Sequence, residues 1–543
     1  MKHIVKFLNK IKSFCLPEGK GGNKLFAFAL VLLSLYVEAI VFLRFAFYSK
    51  LFTREHLKFS FIMLFLCILA VILIEKIKPM SSLPCLKFRQ SNKSGYIFFA
   101  SVFVVTLGCF LIWYIAFFPG SFSPDSIAQY QQALTDEYDN WHPAFHTWLF
   151  FKLPVFLFGT PSAIVLLQII YFSLAVAYLF YTLKNSSCPL LFMILSWVYI
   201  IVNPNTTHIM LYPWKDTALA IFSLVIFTQV MKIYETGGKW LKSKLNILSF
   251  SIFLFLALSV RHNSLLLIAP IFVVLFVFMK AVRRNIVASA LIVLSMTLIL
   301  NGPVFTLVGV QKAGHRSMET LGLPLTVLSE VYMTDRESMS EEAIGFMSSL
   351  ATEDEWKKYH VLGNFNVLKF SVDEVIFDKV ENEGTGKILK YTLEAVINSP
   401  IASIRSFSHL TSLVWGFGDC GGSSIGVSIV DNAYGISYSG DNEFRELLNG
   451  YSEIVGSGAS VFFNYIGIIN LLLLVCGVAR IKKAGAARVF VLISPLCYNF
   501  GTMLLLTGPD FRFFYFNFLI VIPILYLLFG KDSCEDALSV DQI

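Results

Sequence analysis

The chain reads as an all-α polytopic membrane protein, with about twelve transmembrane helices, one re-entrant or interfacial helix and one mainly helical extracytoplasmic domain. Three observations predict this. Of 543 residues, 56% are hydrophobic and 15% charged, with a mean hydropathy of +0.69, far from the balance of a soluble globular domain. Apolar runs recur at lengths that cross a hydrocarbon core of about 30 Å. The connections between them alternate between rich and poor in Lys and Arg, as the positive-inside rule requires of successive spans.

The runs lie at 25–47, 57–78, 96–118, 161–183, 188–202, 217–234, 245–260, 264–280, 286–308, 458–479, 489–507 and 513–529. Ahead of them, residues 1–24 carry Lys2, Lys6, Lys10 and Lys12 among apolar residues and no small-residue cleavage site. That pattern predicts a cytoplasmic amphipathic helix rather than a signal peptide. The run 148–158 is interrupted by Lys152 and Pro154 and is too short to span, so it is read as re-entrant or interfacial.

Orientation follows from charge. The basic connections are the N-terminus, 76–93, Lys184, 232–244, 280–284 and 480–488, whereas 119–147 has no Lys or Arg and carries Asp125, Asp136, Glu137 and Asp139. Counting 148–158 as a span would place the later basic loops outside. The non-spanning reading puts both termini, including the tail 531–543, in the cytoplasm. The spans then form a module over 25–310, with a candidate catalytic outer loop at 119–147, and a C-terminal group over 456–530. Between them, 311–455 holds 21 acidic and 11 basic residues and reads as an extracytoplasmic domain. Its segments 341–349, 354–360, 373–381 and 388–397 have helical patterning, and the Gly-rich 416–426 reads as a loop.

The net charge of +7 sits in short clusters beside apolar runs, so it reflects topology and not nucleic-acid binding. Nine cysteines are scattered without a CxxC pair, so neither a disulfide nor a zinc framework is expected.

With this orientation the outer face collects the residues able to do chemistry: Asp125 in PGSFSPDS, His142 and His146 in NWHPAFHT, His208, Lys215 and Asp216 in NPNTTHIMLYPWKD, Arg261 with His262 and Asn263, and Asp510 with Arg512 in GPDFRFF. Asp125 has no basic neighbour in sequence. A carboxylate at a partly dehydrated membrane edge is expected to have a raised pKa and to serve as a general base; it would also suit the N-cap of a helix beginning at Ser126. Lys215, Arg261 and Arg512 lie on the face where few cations are expected, which points to an anionic or phosphate ligand rather than snorkelling. His142 and His146 stand four apart, a spacing compatible with a divalent metal, although hydrogen bonding to loop or substrate accounts for them more simply. Inside the first run, Glu38 and Arg44 are expected to pair.

The order of these parts resembles the GT-C superfamily of membrane glycosyltransferases. It is similar in particular to bacterial protein mannosyltransferases and aminoarabinose transferases, and to a bacterial branch with PGxxxxDS, HP and PWKD motifs. The likeness covers residues 96–529. It implies a lipid-linked donor, a polyprenyl phosphate or diphosphate sugar, and a glycan, lipid or protein acceptor outside the cell. Asp125 would deprotonate the acceptor, with Lys215, Arg261 and Arg512 on the lipid phosphate and His142, Asp216, Asn263 and Asp510 around the substrate. Pro124-Asp125-Ser126 departs from the DxD or ExD pair of many members, which leaves the need for a divalent metal open. A transporter or flippase would favour ionisable residues deep in several spans and a repeat; Glu38 is the main such residue and no repeat is found. A sensor anchored by twelve spans is the least economical reading.

Overall fold

The computed structural model describes residues 20–83, 92–312, 314, 316–440, 442–457 and 461–530. Of the amphipathic segment expected over 1–24, residues 1–19 lie outside the described residues and 20–24 open the first helix; the tail at 531–543 also lies outside them. The chain is helical throughout, with two isolated β-bridges, Phe122 to Ile429 and Asp139 to Gln311.

The first half comprises α1 (Lys20–Phe47), α2 (Arg54–Glu75), α3 (Asn92–Ala116), α4 (Pro124–Thr135), α5 (Ala144–Phe158), α6 (Ser162–Asn185), α7 (Leu190–Val202), α8 (Pro204–Leu211), α9 (Lys215–Glu235), α10 (Lys244–Val260), α11 (His262–Phe278) and α12 (Lys280–Val308). Then follow α13 (Gly322–Thr334), α14 (Glu341–Leu350), α15 (Glu353–Tyr359), α16 (Phe365–Lys369), α17 (Val375–Glu383), α18 (Thr385–Asn398), α19 (Pro400–Trp415) and α20 (Glu443–Ser457). The chain closes with α21 (Ile466–Ala484), α22 (Ile493–Met503) and α23 (Phe511–Phe529). Among the described residues seven helices are long and apolar enough to cross a membrane, or eight if the bent pair α7–α8 counts as one span.

A helix occupies each expected run, but the bounds depart from expectation in several places; the eleventh, for example, ends at Met503 rather than 507. The fifth continues past 202 through a 56° bend into α8. Pro204 cannot donate the hydrogen bond that would carry the helix on, and Asn203 caps the new helix by accepting from Asn205 N (3.0 Å). In the tenth, a short helix at Val461–Asn464 gives way to extended backbone at Tyr465 before α21 begins at Ile466. The segment 148–158 lies within α5, whose middle turns, Thr147–Lys152, widen to a π-helix. At about 1.5 Å per residue its length falls short of the hydrocarbon core.

Helix α9 is the axis of the bundle. Nearly all of it is buried against α6, α10 and α23. Peripheral helices instead turn large apolar side chains outward, such as Leu57, Phe61 and Phe65 on α2 and Leu291, Leu294 and Leu298 on α12, the pattern of helices solvated by lipid. At one end of the bundle the basic connections converge. Lys482 pairs with Glu75 (3.6 Å), Arg480 donates to Ile77 O (3.1 Å), Asn285 to Leu241 O (2.7 Å), Tyr234 to Ala487 O (2.7 Å) and Tyr526 to Ser186 O (2.6 Å). The Lys- and Arg-poor connections converge at the other.

Glu38 and Arg44 do not pair. Glu38 accepts from Ser60, while Arg44 reaches Phe417 O, Cys420 Sγ (3.3 Å) and Asp419 (3.4 Å). Six residues carry the arginine past its expected partner to the end of α1, where loop carbonyls replace water.

A separate hydrophobic core over Met318–Ala395, centred on Trp356, organises α13 to α18. From Pro400 onward α19 joins module and bundle: Ser406 donates to Thr326 O of α13 (2.9 Å), while the same helix also packs on α1 and α21. Along α19, His409 stacks on Phe47 of α1 (3.6 Å between centroids), and Asn470 of α21 donates to Val414 O (2.9 Å). The module sits directly on the chain between α22 and α23: a Cβ at Gly322 would lie 2.1 Å from Leu506 O.

Two measurements check this architecture. Gly322→Ala should lower stability by about 1–3 kcal/mol, seen as an earlier thermal unfolding in detergent. Thiols introduced by Glu137→Cys and Ser243→Cys, both at exposed positions, should label from opposite sides of sealed vesicles; labelling from one side would refute the two-ended arrangement.

Candidate functional site

Loop 119–123 is built to hold α4 in place. Gly120 adopts φ +113°, and a Cβ there would sit 2.4 Å from Val165, so a side chain is excluded twice over. Ser121 N donates to Leu211 O (3.0 Å) and Phe122 N to Ser428 O (3.1 Å), stitching the loop to α8 and to the 416–440 segment. Ser123, not Asp125, caps α4, accepting from Ser126 N (3.4 Å), and Pro124 takes the first helical position. Asp125 therefore lies in the first turn with its carboxylate free to face another element.

That element is the start of α23. Arg512 reaches Asp125 (2.9 Å) through Nη2, and through Nε reaches Asp510 (2.8 Å) and Asp216 (3.7 Å). Asp510 also caps the chain there, accepting from Arg512 N (3.1 Å). Arg261, at the end of α10, pairs with Asp216 at the start of α9. Both members of this pair are buried, at 5% and 3% exposure. Two rings complete the packing, Trp214 with its centroid 4.9 Å from the Arg512 guanidinium and Phe513 at 4.3 Å from that of Arg261. Trp214 in turn donates to Ser123 Oγ (2.8 Å), tying the cap of α4 to the approach to α9.

Lys215 completes the cluster. Its Nζ donates to His142 Nδ1 (3.4 Å), and since an ammonium has no acceptor, that ring nitrogen carries no proton. Among the described residues no carboxylate comes within ion-pairing distance of Lys215. Burial lowers the His142 pKa to about 3, reinforced by Lys215. Asp125 reverses the expectation of a raised pKa. Burial alone would push it up, but Arg512 and then His142 and Lys215 hold it well below the usual carboxylate range.

The structure thus brings together Asp125, His142, Lys215, Asp216, Arg261, Asp510 and Arg512. Three cations face three carboxylates, so the arginines are not free anion hooks; each already neutralises an aspartate. Asn263 is not joined to them and makes no side-chain hydrogen bond among the described residues. His208 lies elsewhere, binding Ile425 O and contacting Ser452 (3.1 Å). It fastens the 416–455 segment to α8. The two histidines of NWHPAFHT also part company, because His146 takes Gln129 (2.9 Å) and stacks on Phe150. No three His, Cys, Asp or Glu side chains converge as metal ligands among the described residues.

Some contributors carried no earlier signal. Lys369 of α16, 2% exposed, donates to Glu319 (2.7 Å) and Thr507 Oγ1 (3.4 Å), while Asn366 N donates to Thr507 O (3.1 Å). The module thereby holds the stretch of chain that bears Asp510. Trp214 and Phe513 were visible only as letters inside PWKD and DFRFF. A cavity of about 290 Å³ between Gly418, Asp419, Ser423 and Tyr465 is lined by none of the cluster residues. No protein-family model, curated protein or solved structure matches the chain.

Breaking the buried pair should be severe: Asp216→Ala strands Arg261 and should cost about 3–5 kcal/mol, whereas Asp216→Leu combined with Arg261→Met should be milder than either alone. Denaturant midpoints of the detergent-solubilised variants measure both. His142 supplies a pH dependence. Below about pH 6.5 the unfolded chain takes up a proton that the folded chain refuses until about pH 3. The unfolded state binds more protons in that window, so stability falls as pH falls. His142→Gln should flatten the acid limb of a melting-temperature profile between those limits.

Proposed function

We propose that the chain is a GT-C type membrane glycosyltransferase, with twelve spans and the Asp125 cluster on the extracytoplasmic side. It moves a sugar from a polyprenyl-phosphate-type donor to a glycan, lipid or protein acceptor of the cell envelope. The observation that carries this reading is the convergence of Asp125, Lys215, Asp216, Arg261, Asp510 and Arg512, from helix ends far apart in sequence, on one patch. A donor with a membrane-borne tail and a polar head needs its reacting atoms at that level.

The acceptor oxygen attacks the anomeric carbon from the face opposite the phosphate, with inversion. The bond from carbon to phosphate oxygen breaks, the acceptor proton passes to Asp125, and the lipid phosphate leaves as an anion on Lys215 and Arg512. A single base suffices for direct displacement, unlike the carboxylate pair of glycoside hydrolases. Paired as it is, Arg512 holds Asp125 ionised and weakly basic. A phosphate that engages the guanidinium loosens that pair, and the base strengthens only once a donor is seated.

The runner-up, a flippase or transporter of an envelope precursor, draws on the broken helix α7–α8. Against it, every residue of α8 is buried and its polar side chains are taken up by neighbouring chain. The ionisable residues of the cluster lie at helix ends.

In vesicles supplied with a polyprenyl-linked sugar, Asp125→Asn should lose transfer by about 10²- to 10⁴-fold while donor binding and thermal stability persist. Full transfer by that variant would remove Asp125 as the base. Donor translocation without transfer in the unaltered protein would favour the flippase.

A further inference from the structure

Helix α20 lies outside the expected spans, in the stretch first read as part of a soluble domain, yet it is fastened to the bundle and not to the module. Arg445 donates to Ala116 O at the end of α3 (3.0 Å), and Tyr451 meets Trp113 edge-on (6.0 Å) and donates to Val202 O at the end of α7 (2.6 Å). The helix therefore bridges the ends of α3 and α7. Both helices turn apolar side chains outward, Ile112 and Ile115 on α3 and Leu191, Ile194 and Leu195 on α7.

The faces of α20 are sharply divided. Phe444, Leu447 and Ile454 form an exposed row at helical spacing, with Leu447 at 67% and Ile454 at 76% exposure. Leu448 and Tyr451 pack inward beside it. Glu446 and Glu453, a full two turns apart, line the opposite flank. Just beyond, Phe462 is half exposed and its carbonyl accepts from Tyr199 of α7 (3.1 Å), which extends the apolar rim. A protein partner would not need this row to continue the outward apolar surface of two span-like helices. A bilayer would, and the acidic flank then faces water.

We infer that α20 is an interfacial helix lying on the outer edge of the bilayer, with Leu447, Ile454 and Phe462 inserted among the lipid chains beside α3 and α7. The inference rests on α3 and α7 crossing the membrane and is independent of any transfer reaction. It assigns a lipid-surface contact to a segment that composition marks as soluble. It also places the chain that grips α8, through Ser452 and His208, under the influence of the lipid it touches.

The test uses the full chain reconstituted in phosphatidylcholine liposomes containing a phospholipid with a diazirine in its acyl chain. After illumination, adducts are mapped by peptide mass spectrometry. Peptides covering 444–463 should carry adducts at the level of those covering 104–118, and α14 of the outer module should remain near background. Leu447→Glu with Ile454→Glu should lose the α20 adducts and keep those of α3, which reports that the variant is still folded and inserted. Adducts on α20 no higher than on α14 would overturn the proposal. Absence of label from α3 as well would overturn the span reading beneath it.

Discussion

One guanidinium, that of Arg512, meets carboxylates from three parts of the chain: Asp125 from the first turn of α4, Asp216 from the start of α9, and Asp510 from its own approach to α23. An arginine in so dehydrated a place keeps its charge only if its donors are matched, and each aspartate is stable there only with a cation beside it. The interaction is therefore a mutual requirement among the ends of helices that belong to different halves of the bundle. Arg261 repeats the logic one step deeper on the other oxygen of Asp216. Without Asp216, Arg261 loses its carboxylate and Arg512 loses one of three.

Much else in the molecule can be understood as holding those helix ends where the charges meet. The glycine at 120 lets the loop before α4 pass against Val165, and Ser123 caps α4 so that Asp125 need not. Trp214 joins that cap to the Arg512 ring stack. Lys369 and Asn366 of the helical module grip Thr507, three residues before Asp510. The module is thus more than a roof. Its own core is independent of the bundle, yet its seating on 505–508 sets the position of the aspartate that orients Arg512.

A site so arranged is closed electrostatically and partly open sterically. Asp125 and Asp510 keep about a third of their side-chain surface exposed, while Asp216 has almost none. Lys215 differs from the two arginines, since its described partner is a neutral histidine and no carboxylate pairs with it among the described residues.

By itself the sequence determined where the helices run, because apolar runs and basic connections record the demands of a bilayer one segment at a time. It also marked the pool from which the cluster is drawn, since Asp125, His142, Lys215, Asp216, Arg261, Asp510 and Arg512 stand at or between the ends of those runs on the Lys- and Arg-poor side, together with His146, His208 and Asn263. Tertiary structure alone decided who pairs with whom. Asp125 looked free of cations because its partner is almost four hundred residues away, and its basicity inverted once Arg512 arrived. His208 and Asn263 shared the same face but not the same contacts, and Arg44 turned from Glu38 to loop carbonyls. Within the soluble-looking stretch 311–455, α19 came to lie against both the module and the bundle, and the last helix, α20, joined the bundle. The physical reason is range: burial of a helix is decided by its own residues, whereas the charge state and partners of a side chain depend on whatever the fold brings within a few ångströms.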